Sequence, residues 1–425
     1  MKTLIMAGGK GTRISSVRAD IPKPMIPVNG KPILEWEIIN LRDSGLTDIT
    51  IVVGHLGSVI KEYFQDGARW KVDIDYFTEE KPLGTAGALY YLKEKLTEPF
   101  LLINGDILFD VDFKRMIDFF YLHDAWALIF AHPNDHPYDS GLIVCDSNNR
   151  LTNWLHKEDE KIAVKNRVNA GIHIISPKLY GNMVFEGRWD LDRDLLKKNI
   201  VTEKIYVYES SEYVKDMGTP ERLFEVGGDI KKGKVRRKCL KNKQKAVFID
   251  RDGTINVYKG FIYDHAQIEL IPGVADAIKK INESDYLCIV ITNQPVIARG
   301  ECTLEELDFI NNTLETLLGE KGAYIDDLFY CPHHPDKGFE GERIEFKIDC
   351  QCRKPKIGLL LKAAEKYNID LKQSYMVGDE KRDLQTAYNA NCEPILISEK
   401  DIQDIGFHYK KYKSLIEFVE QNIIF

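Results

Sequence analysis

The chain has 425 residues, 44% of them hydrophobic, and a formal net charge of -8. One domain usually takes roughly 100–200 residues, so this length can bury at least two cores. The acidic balance excludes a general nucleic-acid binder, which needs clustered Lys and Arg along a phosphate backbone. Small anionic substrates stay open, because a local cluster is enough for them.

The N-terminus reads MKTLIMAGG, an apolar run that reaches glycines at once, without the basic segment, long apolar segment and small-residue cleavage site of a leader. It predicts a first strand. No apolar run approaches the ~20 residues of a membrane-spanning helix. Neither membrane nor nucleic acid is expected as a partner, and the expected location is the cytoplasm. Eight cysteines are too few for a disulfide framework at this length, which fits a reducing compartment.

In chain order, β-rich runs at Leu4–Met6, Ile49–Val53, Phe100–Ile103, Ala127–Ala131 and Ile172–Ile175 alternate with amphipathic stretches such as Ile33–Ser44 and Phe113–His123. That alternation predicts an α/β domain over residues 1–230, a mostly parallel sheet covered by helices. Residues 231–245 carry nine Lys or Arg, no acid and little apolar periodicity, which predicts a basic, solvated linker. A second series, Ala246–Ile249, Leu287–Ile291, Leu328–Tyr330, Tyr375–Val377 and Ile395–Ile397, predicts a second α/β domain over 246–425.

The first strand runs into Ala7-Gly8-Gly9-Lys10-Gly11-Thr12-Arg13, where glycines let backbone N–H groups approach phosphate oxygens. Alone, such a turn is a weak signal. Pro22-Lys23-Pro24-Met25, Pro82-Leu83-Gly84-Thr85-Ala86-Gly87 and Asn104-Gly105-Asp106 follow it, and Asp216-Met217-Gly218-Thr219-Pro220 comes late. In order and spacing these resemble the sugar-phosphate nucleotidyltransferases, whose domain is a Rossmann-like, GT-A-like sheet. The resemblance implies that a sugar-phosphate oxygen attacks the α-phosphorus of a nucleoside triphosphate and pyrophosphate leaves, by positioning and charge neutralisation without a side-chain nucleophile. It assigns Ala7, Gly8, Gly9, Gly11, Thr12, Gly84, Thr85 and Gly105 to the nucleotide, Lys23 and Arg13 to the triphosphate, and Asp106 with Asp216 to Mg²⁺. Asn169, in Asn169-Ala170-Gly171, takes the sugar and Lys157 its phosphate. Glu80 and Thr85 are expected near the sugar or base.

The strand Ala246–Ile249 ends in Asp250-Arg251-Asp252-Gly253-Thr254, two acids at the carboxyl edge where open α/β sheets bind ligands. The DxDGT pattern resembles the haloacid dehalogenase superfamily, a second Rossmann-like domain. That resemblance makes Asp250 the nucleophile and Asp252 the acid and then base. Thr292, Asn293, Arg353 and Lys354 hold the phosphoryl group, and Mg²⁺ lies on Asp250, Asp252 and Asp379, with Asp383 in support. Cys331, His333, Cys350 and Cys352 supply three thiolates and an imidazole, a donor set for structural, tetrahedral Zn²⁺. His334 is expected to pack.

This half is similar to the subgroup with heptose-bisphosphate and histidinol-phosphate phosphatases, and the first half to guanylyltransferases of heptose 1-phosphate, through Ser16-Val17 and Tyr63-Phe64-x-Asp66-Gly67. The resemblance implies a bifunctional enzyme, with a homo-oligomer among the expected partners, that makes a GDP-heptose from a nucleoside triphosphate and a phosphorylated sugar. Two places depart from that pattern: Pro295-Val296, where the subgroup commonly has Ser-Gly, and His132-Pro133-Asn134-Asp135-His136-Pro137. The alternatives are a cytidylyltransferase for another sugar or polyol phosphate, and a chain in which one half is a silent binding module.

Overall fold

The structure is a computed structural model that describes residues 1–9, 21–137, 141–181, 188–338 and 340–423. Gly11, Thr12 and Arg13 lie outside these residues. The chain divides into two compact units. One comprises Met1–His132, Ile143–Trp154 and Asn169–Cys239, and the other Pro133–Leu142, Leu155–Val168 and Leu240–Phe425.

The first unit is built on a nine-stranded sheet. Thr3–Met6 lies at its centre, parallel to Asp48–Val53 on one side and to Phe100–Asn104 on the other, and Asp73–Thr78 extends it beyond Asp48–Val53. Thr3–Met6, Asp48–Val53 and Phe100–Asn104 are buried on both faces over most of their length, as a sheet covered by helices requires. The sheet is mixed, because Val168–Ile175 joins Phe100–Asn104 antiparallel. Helix Ile33–Asp43 buries Ile33, Leu34, Ile38 and Leu41, and helix Phe113–Leu122 buries Phe113, Met116 and Phe120, spacings that put each set on one helical face. A separate ribbon pairs Ile107–Asp110 antiparallel with Tyr213–Asp216.

Residues 231–245 differ from the solvated linker read in the sequence. Helix Pro220–Lys231 is followed by a turn of helix at Lys234–Arg237, where Val235 packs with Ile26, Leu108 and Val226. Cys239, four residues on, is also buried, and Leu240 packs with Ala246 and Phe248. The basic side chains hide these apolar anchors at i, i+4 spacing.

The second unit carries a six-stranded, all-parallel sheet in the order Asp327–Cys331, Tyr286–Asn293, Lys245–Ile249, Tyr375–Gly378, Glu393–Ile397, Lys410–Tyr412. Asp250, Thr292, Asn293, Cys331 and Asp379 all fall at carboxyl ends of adjacent strands. Two excursions from the N-terminal half complete this unit. Arg167, 1% exposed, donates to Glu315 Oε2 at 3.5 Å, to Asp326 O at 2.9 Å and to Asn166 O at 2.7 Å. Among the described residues, no helix is long and apolar enough to cross a membrane.

Candidate functional site

In the first unit, Pro22 and Pro24 set a tight turn, Met25 N–H donating to Pro22 O at 2.8 Å, that buries Met25 and projects Lys23. Lys23 Nζ pairs with Asp106 Oδ2. The antiparallel ribbon sets Asp216 opposite Ile107, and Met217 N–H donates to Asp106 O at 3.0 Å, so the two acids expected to share a metal are neighbours. Asp216 is paired with Arg222 and accepts from Gly218 N–H at 3.0 Å. Each acid therefore already has its own cation.

Ala7 and Gly105 are fixed beside the first strand: Ala7 N–H donates to Val52 O at 2.9 Å and Gly105 N–H to Met6 O at 3.0 Å. Gly8 is half-buried and Gly9 exposed. Gly84 has φ +79°, and a Cβ there would meet Trp189 O at 2.1 Å, so only glycine fits. Thr85 accepts from Leu191 N–H at 2.7 Å, which pins this turn to the segment that follows Trp189. Asn169 caps its own turn through Gly171 N–H at 3.0 Å and reaches Asp192 at 3.5 Å. Lys157 is exposed in the segment Leu155–Val168, which belongs to the second unit.

Three acids here escaped the sequence reading. Glu80 is exposed, and it is Glu79 whose carboxylate turns to Gly8, where a Cβ would lie 2.8 Å from its Oε2. Its Oε1 is buried without a hydrogen-bond partner, and burial raises its pKa against the Leu83 N–H that it accepts. Asp192, beside Asn169, is pushed up to about 7 by burial and then by Asp190. Glu37 lies fully buried in the inward stripe Ile33, Glu37, Leu41 and accepts from Ile107 N–H at 3.2 Å. Burial first, then Asp106, drives its carboxyl well above the usual range. An acid inside an apolar helical stripe was the available signal.

In the second unit, Asp250, Asp379 and Asp383 converge, each offering an oxygen within 4.8 Å of the others. Lys354 Nζ lies 2.8 Å from Asp250 and 2.6 Å from Asp383. Burial pushes Asp250 upward against the pull of Lys354, and Asp379 up to about 6, with Asp383 and Glu380 adding. Three carboxylates against one ammonium leave two negative charges, and Asp379 Oδ1 is buried with no partner. A divalent cation fits both facts. Gly253, at φ +85°, permits this approach, since a Cβ would stand 2.2 Å from Asp379 Oδ2.

Asp252, expected among the metal ligands, keeps its carboxylate outside this cluster. Arg251 grips it with a two-pronged fork at 3.1 and 3.0 Å, while Asn256 at 3.0 Å and Gln294 at 2.7 Å complete its shell. Fixed donors on both oxygens orient a carboxyl for proton transfer. Gln294 also donates to Thr292 Oγ1 at 2.8 Å. Arg251, Asn256 and Gln294 were not singled out in the sequence because their role depends on the folded neighbourhood of Asp252.

Asn293 and Cys331 are register partners on adjacent strands. The sulfurs of Cys331, Cys350 and Cys352 stand 3.2 to 3.4 Å apart, and His333 Nδ1 lies 3.3 Å from Cys352 and 3.7 Å from Cys331. Tetrahedral bonds of ~2.3 Å give an edge of about 3.8 Å, so the four donors suit one metal ion. The hydrogen bond from Cys331, against burial, and then Cys350 and His333, pull the Cys352 thiol down to about 5. Cys331, Cys350 and Cys352 form no disulfide. The loop delivers Lys354, whose N–H and C=O are both held by the Asn293 side chain, at 3.0 and 3.1 Å. Arg353 donates to His333 O at 3.2 Å. His334, expected to pack, lines the same cavity as Asp250 and Asp252.

Residues 2–233 match the nucleotidyl transferase family, and residues 351–401 match the HAD-hydrolase-like family. Over 146 residues, 34% of this chain, the sequence is 41% identical to the D-glycero-beta-D-manno-heptose-1,7-bisphosphate 7-phosphatase of Yersinia pestis and covers 76% of it. Among solved structures, HddC from Yersinia pseudotuberculosis complexed with GMP-PN is 26% identical, covering 54% of this chain and 99% of that one, with a TM-score of 0.47. The D,D-heptose 1,7-bisphosphate phosphatase from B. bronchiseptica complexed with magnesium and phosphate is 29% identical, covering 42% and 97%, with a TM-score of 0.36. The chain belongs to the nucleotidyl transferase family, and its C-terminal part to the family of those 7-phosphatases. It is a bifunctional enzyme, a nucleotidyltransferase and a phosphatase in one polypeptide.

Proposed function

We propose that the two activities are consecutive steps towards a GDP-activated heptose for a surface polysaccharide, carried out in the cytoplasm. The phosphatase unit removes the 7-phosphate of a heptose 1,7-bisphosphate, and the transferase unit joins the resulting heptose 1-phosphate to GMP from GTP. The observation that carries this reading is the 41% identity to a heptose-bisphosphate phosphatase, in a chain that also holds a nucleotidyltransferase. The product of one reaction is then the acceptor of the other.

In the first step an Asp250 oxygen attacks phosphorus, the bond to the sugar oxygen breaks, and Asp252 gives that oxygen a proton. Water then attacks the acyl phosphate, and Asp252 takes its proton. Lys354 and the Thr292 and Asn293 strand end hold the phosphoryl oxygens. Asp250 and Asp379 would hold Mg²⁺, which would supply charge neutralisation for the transferring group. Zn²⁺ on Cys331, His333, Cys350 and Cys352 fixes the loop that carries Arg353 and Lys354. In the second unit Val296 is buried with Ile297, Cys302 and Leu307, so of the Pro295-Val296 departure only Pro295 lines the cavity.

In the second step a sugar-phosphate oxygen forms the new bond to the α-phosphorus and the bond to pyrophosphate breaks. Lys23 and Arg13 balance the leaving charge, Asp106 and Asp216 would hold Mg²⁺, and Asn169 and Asp192 receive sugar hydroxyls. Glu79 supports guanine over the other bases. Guanine presents N1–H and N2–H₂ side by side, and a carboxylate accepts from both, whereas cytosine, uracil and adenine offer no two adjacent donors on one edge. The test is pyrophosphate release by the purified chain with GTP, CTP, ATP and UTP, each crossed with heptose 1-phosphate and other sugar and polyol phosphates. GTP with heptose 1-phosphate is the expected productive pair. Turnover only with another base or sugar would overturn the reading.

A further inference from the structure

We propose that Arg222 is a further catalytic residue of the transferase unit, the cation that binds the phosphate of the incoming sugar phosphate and holds it for attack on the α-phosphorus. The inference rests on the nucleotidyltransferase activity, and on neither the base nor the sugar proposed above.

The reaction brings two anions together, and each needs a cation before an oxygen of one can approach the phosphorus of the other. Lys23 and Arg13 are assigned to the triphosphate. The lysine expected at the acceptor phosphate, Lys157, is exposed in a segment of the second unit. Within the first unit the acceptor is thus left without an assigned cation.

Arg222 stands where that charge is needed. Its Nη1 pairs with Asp216 Oδ2, and Met217, the next residue, donates its N–H to Asp106 O at 3.0 Å. The guanidinium is therefore held at the two acids expected to share the metal, as Lys23 is on Asp106. Gly218 lies against both cations: a Cβ there would stand 3.8 Å from Lys23 Nζ and 3.9 Å from Arg222 Nη1. That interval suits one phosphate group with an N–H···O contact of ~2.9 Å on either side. A side chain at Gly218 would enter it, and would also crowd Asp216 Oδ1 at 2.7 Å.

The turn expected to take the sugar adjoins the same acids. Gly171, of Asn169-Ala170-Gly171, packs on Asn104, where a Cβ would stand 2.6 Å from Nδ2, and Asn104 ends the strand that leads through Gly105 into Asp106. Two properties suit Arg222 to the acceptor. Its side chain is 25% exposed against 9% for Lys23, so a ligand arriving from solvent reaches it. Its planar fork matches two oxygens of a phosphate, where an ammonium offers a point charge. The neighbouring cation, Lys215, is paired with Glu225. As the acceptor oxygen forms its bond to the α-phosphorus and the bond to pyrophosphate breaks, no proton passes through Arg222. It orients the acceptor and offsets the repulsion between the two anions.

The test follows pyrophosphate release by the full chain with GTP and heptose 1-phosphate, or with whichever other pair the nucleotide screen finds productive, so that a wrong substrate reading leaves the measurement standing. Arg222→Gln should raise KM for the sugar phosphate roughly 10- to 100-fold, the size of a lost charged hydrogen bond, and leave KM for the triphosphate within about twofold. Inorganic phosphate, competing with the sugar phosphate, should inhibit the variant more weakly by a similar factor. Arg222→Lys keeps the charge without the fork and should recover part of the loss, and it carries the same comparison if Arg222→Gln does not fold. Phosphate release by the second unit should be unaltered in both. An unchanged KM for the sugar phosphate, equal rises for both substrates, or a change confined to the Mg²⁺ requirement would overturn the assignment and leave Arg222 as a counter-ion of Asp216.

Discussion

The two active sites solve the problem of gathered carboxylates in different ways. In the phosphatase unit Asp250, Asp379 and Asp383 share one buried ammonium, Lys354, and the cluster is left two charges short of neutral. In the transferase unit Asp106 and Asp216 each have a partner of their own, Lys23 and Arg222. A buried cluster with excess negative charge has to be completed by a cation from outside. A balanced pair becomes a metal site only as its cations move to an incoming anion, and a triphosphate is such an anion. On the proposed reading, one site is set for its metal beforehand, and the other is set by its substrate.

The sharpest way to break this comparison is to remove one acid from each site. Asp250→Asn should lower phosphate release by at least about 10³-fold, because no other group supplies the attacking oxygen. Asp106→Asn should do the same to pyrophosphate release, and each variant should keep the other reaction within about twofold. Loss of both activities in either variant would end the two-site description. Next in size is metal removal. Chelation, or Cys352→Ser, should release zinc, lower the melting transition of the second unit and abolish phosphatase turnover, since structural zinc contributes on the order of 10 kcal/mol to such loops. Elemental analysis with the two activity assays checks this, and transferase activity should persist.

A structural prediction follows from Arg167. Arg167→Met removes the cation beside buried Glu315 and should cost the second unit ~3–5 kcal/mol, read from its denaturation midpoint. A shift below about 1 kcal/mol would show that the pair is dispensable. The smallest effect belongs to the base. Glu79→Gln should reduce the preference for GTP over other triphosphates by roughly 10- to 100-fold, in a competition assay of nucleotide-sugar products. An unchanged preference would remove Glu79 from base recognition.

What the sequence reveals follows from how local each feature is. Strands such as Leu4–Met6 and Ala246–Ile249 are continuous apolar runs, and the acids at the end of the latter sit in a motif whose spacing carries its chemistry. The edge strand Asp73–Thr78 alternates buried and exposed side chains weakly, so the face taken by Glu79 rather than Glu80 depends on its pairing with Val53. Val235 and Cys239 are two apolar residues among nine cations, too few to show a period. The resemblance brings Lys354 and Asp383 to one site, but the grip of Arg251 on Asp252 is a matter of what folding brings near, and a charged side chain in a sequence carries no mark of being buried. His132–Pro137, a departure from the resembling pattern, becomes intelligible only once Pro133–Leu142 is seen to belong to the second unit.

That membership bears on how the molecule can be dissected. The polypeptide passes from one unit to the other after His132, Leu142, Trp154, Val168 and Cys239. A fragment starting at Leu240 would contain the DxDGT motif and the cysteine loop, but it would lack the stretch that brings Arg167 to Glu315. Cloning boundaries drawn from the motifs would therefore truncate the phosphatase. The second unit is discontinuous in the chain, and a faithful isolated version would need both Pro133–Leu142 and Leu155–Val168 grafted back.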